Sequence, residues 1–128
     1  MCFYTDDPVI LIAGEDIVCY KVMLKHYNKN EYESVYQNYV YLRNQINPIV
    51  DLVIRTRQHP GNHILSCIDE GYHSYATLKT ARESVLSGEK RVVLRCIIPR
   101  GAKYIYDDKY NLGDLVYVSD QIILKRLV

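Results

Sequence analysis

The chain has no tryptophan, one phenylalanine, four prolines and six glycines in 128 residues. So few breakers exclude a collagen-like or Pro/Gly-rich low-complexity chain. Long apolar runs are missing too. The longest, Val9 to Ala13, is far shorter than a signal h-region or a membrane span. With no basic stretch ahead of it, the expectation is no membrane partner and a cytoplasmic location. A charge excess is also absent: sixteen basic against fifteen acidic side chains leave +1. That balance excludes a domain built throughout on phosphate contacts, so bulk charge indicates no nucleic acid. The four cysteines, Cys2, Cys19, Cys67 and Cys96, include no CxxC pair and no CxxC-to-His spacing. The expectation is therefore no metal, no intramolecular disulfide and reduced thiols, with Cys19, Cys67 and Cys96 acting as small hydrophobes in apolar stretches.

What is present is tyrosine, thirteen in all. Tyrosine joins an apolar body to a polar tip and suits half-buried sheet faces or adhesive surfaces. Tyr32, Tyr36, Tyr39 and Tyr41 crowd into ten residues. They read either as the amphipathic face of a β-rich segment or as a contact or base-stacking surface.

Residue patterns divide the chain into short elements. Asp16 to Leu24, β-branched and aromatic, reads as a strand, and Tyr36 to Leu42, after the turn residues Asn28 to Glu31, as a second strand candidate or as a helix that its tyrosines make poor. Leu42 to Arg57 contains Pro48 and reads as an irregular connection. Ile64 to Ile68 is a further strand. Thr77 can cap a helix carrying Leu78, Ala81 and Val85 at three-and-four spacing, which predicts a helix from Thr77 to Ser87 with Gly88 at its C-terminal stop. Arg91 to Ile98, closed by Pro99-Arg100-Gly101, reads as a central strand buried on both faces, with Val92, Leu94, Ile97 and Ile98 in the core. Lys103 to Tyr106 and Leu115 to Val118 flank a polar turn as a hairpin would, and Ile122 to Val128 ends the series. The fold class expected is α+β: one domain, a twisted and mostly antiparallel sheet of about six strands, with one clear helix.

Isolated chemistry is sparse. If methionine were removed, Cys2 would be an N-terminal nucleophile of the class II amidotransferase kind, but Phe3-Tyr4 follow it where those enzymes have glycine. His59, His63 and His73 stand apart from any acidic or nucleophilic partner at a recognisable spacing.

The stretch from Gly71 to Val128 holds Gly71-Tyr72-His73-Ser74-Tyr75, then V-V-L-R-C-I-I-P-R-G-A-K-Y-I-Y, then G-D-L-V-Y-V-S-D-Q-I-I-L-K-R-L-V. This order resembles the C-terminal half of the ADP-ribosyltransferase superfamily, with Asp16 to Leu24 similar to its first strand. The Gly71-Tyr72-His73-Ser74 and Ile98-Pro99-Arg100-Gly101 motifs, with the Met1-Cys2 start, are also similar to small proteins of gut bacteria and their phages that have no assigned activity. The superfamily resemblance implies an ADP-ribosyltransferase-like fold and NAD as cofactor. It implies Lys21 near the first-strand basic position, Tyr72, His73 and Ser74 at the nicotinamide riboside, and Asp114 where the family has a catalytic glutamate. Catalytic roles would then fall to Lys21, His73 and Asp114, and cofactor contacts to Tyr72 and Ser74. Asp114 is one methylene shorter than glutamate, and a lysine lacks the fork of arginine. The other reading gives these residues structural roles: a bend at Gly71, a backbone bond at His73 and a turn at Asp114. On it the chain is a small accessory or host-interaction protein that meets a protein partner through its tyrosine-rich face, with no cofactor.

Overall fold

The computed structural model describes residues 3–5, 9–25, 31–34, 40–45, 47–59, 63–68, 70–85, 91–108 and 115–128. Among these residues twelve strands and one helix follow one another: β1 (Phe3–Thr5), β2 (Leu11–Ile12), β3 (Ile17–Lys25), β4 (Glu31–Ser34), β5 (Val40–Leu42), β6 (Ile54–His59), β7 (His63–Ile68), β8 (Tyr72–Tyr75), α1 (Leu78–Glu83), β9 (Arg91–Ile98), β10 (Lys103–Asp107), β11 (Val116–Ser119) and β12 (Ile123–Leu127). The larger sheet runs β12-β9-β3-β8-β11-β10-β2, with β4 on β3 and β5 on β4, and a smaller sheet runs β1-β7-β6. Every pairing between these strands is antiparallel.

The larger sheet curls back on itself. Arg43, directly after β5, forms a parallel bridge with Leu124 of β12, and Asn44, Asn47 and Val50 donate backbone N–H groups to the carbonyls of Leu124, Ile122 and Asp120. Residues 43–45 and 47–50, expected as part of an irregular connection, thus have no strand of their own yet cover the outer side of β12. Asn47 is fully buried and sends its Nδ2 to the Ile122 carbonyl as well, so the buried polar chain stays satisfied. The curl encloses one core: Cys19, Met23, Tyr32, Tyr72, Leu94, Cys96, Ile98, Ala102, Ile122 and Leu124.

A second core lies on the opposite side of the β8-β11-β10 part of the sheet, where Ile105, Val116 and Val118 meet Ile68 of β7, with Leu52 and Tyr75 packed against them. Gly71 enters β8 with φ +126, and a Cβ there would run into Val118 Cγ1 and Leu52 Cδ2. Both the backbone region and the close approach therefore call for glycine.

The central strand is β9 as expected, but its two faces differ. Leu94, Cys96 and Ile98 are sealed, Val93 is buried on the other face, and Val92 and Ile97 keep intermediate exposure. A continuous apolar run is thus not a strand buried equally on both sides. The helix begins where its cap says: Thr77 Oγ1 accepts from the Thr80 amide at 3.2 Å. It stops at Glu83 because Ser84 Oγ donates to the Thr80 carbonyl at 2.9 Å and Val85 N closes on Arg82 O in a tightened last turn. Gly88 and the rest of the expected helix end lie outside the described residues.

Candidate functional site

Lys21 is a cation that the fold has taken inside. It sits on β3 between Cys19 and Met23, both fully buried, and keeps only 7% of its surface exposed. The position coincides with a change of partner. β3 pairs with β8 at Tyr20↔Tyr75, but from Met23 onward β4 takes that side of the strand. Where β8 departs, Lys21 Nζ donates to the His73 carbonyl at 2.6 Å. A side-chain donor thus meets a strand carbonyl at the point where the ladder opens.

Alternation along each strand sorts the neighbouring groups. Cys19 lies directly opposite Cys96, and Lys21 opposite Leu94, across β3 and β9. On β8, Tyr72 belongs to the enclosed core and its hydroxyl donates to the Pro48 carbonyl. Ser74 is buried and turned to Cys19, a contact that helps hold the thiol down. That contact is looser than a hydrogen bond, and no other described group gives Ser74 Oγ a partner. His73 alternates with these two and stands opposite Val118 of the second core. Lys21, Tyr72 and Ser74 therefore face one side of the sheet and the His73 side chain the other.

Burial governs the electrostatics. It pulls Lys21 from 10.5 down to about 8, with the Cys96 and Cys19 thiols opposing the drop. It pushes Cys19 from 9.0 up to about 11, against the Ser74 hydroxyl, the Lys21 charge and a backbone bond. Cys96 is raised well above the ordinary thiol range, first by burial and then by Cys19. Tyr117, opposite Ser74 on β11, is raised by burial and by the neighbouring Cys19 and Tyr104. Its ring meets that of Tyr104 edge to face at 6.0 Å. At neutral pH both thiols are protonated and poor nucleophiles, while the Lys21 ammonium donates to a carbonyl.

The residues singled out in the sequence thus divide. Lys21 meets the backbone of His73 but not its imidazole, because odd and even positions of β8 face opposite ways. Tyr72 and Ser74 share the side of Lys21, but Tyr72 is tied to Pro48. Asp114 lies outside the described residues, as do Cys2, Tyr36 and Tyr39. Sequence reading passed over the Cys19–Cys96 pairing, since only strand register brings the two thiols together. Among the described residues no cluster of three or more His, Cys, Asp and Glu could hold a metal ion, and no helix is long and apolar enough to cross a membrane.

No family model, curated protein or solved structure matches this chain.

Proposed function

We propose that the chain is a non-catalytic binding module that acts through contact with a protein partner. The observation supporting this is the edge of the large sheet at β2. Val9, Ile10 and Ile12 are 50%, 46% and 68% exposed there, and Tyr106 of the neighbouring β10 is 49% exposed. Among the described residues no strand pairs with the outer side of β2, whereas the β12 edge is covered by Arg43, Asn44, Asn47 and Val50. An open edge flanked by large apolar side chains offers backbone hydrogen bonds and anchoring surface to an extended segment of another protein.

The alternative, an NAD-handling transferase, rests on Tyr72, Ser74 and Lys21 sharing one side of the sheet. It draws no support from a Lys21 ammonium engaged by a carbonyl or from an imidazole on the far side.

Photocrosslinking in the producing cells tests the binding reading. A photoreactive residue at Ile12 or Tyr106 should capture one discrete protein, and the same residue at exposed Arg82 should not. Ile12→Asp should abolish binding of that protein, once purified, with the Tm unchanged. Equal capture from all three positions, or binding untouched by Ile12→Asp, overturns it.

A further inference from the structure

The near balance of charge over the whole chain conceals a local segregation. The three adjacent strands β3, β9 and β12 carry six basic side chains, Lys21, Lys25, Arg91, Arg95, Lys125 and Arg126, and no acidic one. Lys21 faces inward. On the opposite face, register places Arg126 of β12 directly across from Arg95 of β9, next to an irregularity at Lys125, and Arg95 directly across from Tyr20 of β3. Arg126 is exposed, and Arg95 and Tyr20 are half-exposed. Like charges directly opposite one another weaken a strand pair, and among the described residues neither Arg95 nor Arg126 has an ion pair or a side-chain hydrogen bond. Arg43 Nε, bonded to the Lys125 carbonyl at 2.8 Å, brings a further cation to the same end of β12.

We propose that Arg95 and Arg126 form a binding site for a phosphate-bearing ligand, with Tyr20 as the neighbouring aromatic surface. Two guanidinium forks on adjacent strands match the oxygens of a phosphoryl group in a way that separate point charges do not. A bound dianion would turn the repulsion between the arginines into a shared attraction. The ring of Tyr20 lies one strand away, where the base of a nucleotide could stack. This site lies at the opposite end of the sheet from the β2 edge and does not depend on the binding function proposed there.

Thermal unfolding of the whole chain in potassium chloride, with pyrophosphate or AMP added at matched ionic strength, tests the proposal. Either ligand should raise the Tm by at least about 2 °C, since binding to the folded state alone adds stability by mass action. Arg126→Gln should raise the Tm in chloride, because it removes the repulsion, and should weaken ligand binding measured by calorimetry at least about tenfold. Arg95→Gln should weaken it equally. A larger response to AMP than to pyrophosphate, lost in Tyr20→Leu, identifies the source as a nucleotide, and equal responses identify the phosphate group alone. No shift beyond chloride with either ligand, or a shift retained in both arginine variants, overturns the proposal.

Discussion

Cys19, Lys21, Leu94 and Cys96 lie on the inner face of β3 and β9, while Val18, Tyr20, Arg95 and Ile97 alternate with them on the outer face. The two sets come from the same strands and carry similar chemistry, with a cation and apolar neighbours on each side. Inside, the Lys21 ammonium donates to a backbone carbonyl and the thiols stay protonated. Outside, Arg95 faces a second arginine and Val18 is 38% exposed. A charge enclosed by the fold must find its partner within the chain, whereas one on the surface can leave that partner to solvent or to a ligand.

The largest expected effects test the inner face. Leu94→Ala should cost about 2–5 kcal/mol, the range for a sealed core leucine, while Ile97→Ala on the outer face should cost about half as much or less. Denaturant titration of the two variants compares the faces directly, and equal losses would erase the distinction. Gly71→Ala adds a methyl against Val118 and Leu52 at a positive φ, and should cost about 2–4 kcal/mol from strain and overpacking together.

A smaller effect isolates the buried cation. Between pH 8 and 10.5 the unfolded chain holds a proton that folded Lys21 has released, so stability rises with pH. Above pH 9 the unfolded chain loses two thiol protons that folded Cys19 and Cys96 keep, against the single Lys21 proton, so stability falls. The two trends meet near pH 9. Stability measured by urea titration should climb by less than about 1 kcal/mol from pH 8 to 9 and then decline, and Lys21→Met should abolish the climb and leave the decline. The smallest change is on the outer face, where Val18→Thr should alter stability by no more than about 0.5 kcal/mol.

Legibility in the sequence followed length and periodicity. Arg91 to Ile98 was readable to the residue because an apolar run between charged and Pro-Gly boundaries has few alternatives. The start of α1 was readable because Thr77 supplies the cap. The predicted hairpin corresponds to β10 and β11, which pair antiparallel. The expectation of about six strands missed the short ones: β1 and β2, of three and two residues, are below any periodic signal. In β4, Glu31 follows Asn28-Lys29-Asn30 and reads as a turn residue, and β6 (I-R-T-R-Q-H) is too polar to stand out. Tyr36 to Leu42 survives as strand only at Val40–Leu42, its earlier residues lying outside those described. At the candidate site the motif Gly71 to Tyr75 holds the strand Tyr72–Tyr75, and treating Tyr72, His73 and Ser74 as a single contact surface ignores the alternation that sends His73 to the other side. The arginine pair was hidden for a different reason, since it exists only in the register of β12 on β9.

The bridge from Arg43 to Leu124 also orders events in time. Eighty-two residues separate Arg43 from the carbonyl of Lys125 that it grips, so the curled sheet closes through one of the chain's longest-range contacts. Synthesis runs from the N-terminus, and Arg43, Asn44, Asn47 and Val50 have no β12 to lie against until positions 120–124 have left the ribosome. Until then that side of the core has no cover, and closure is slow, as for other topologies dominated by distant pairings.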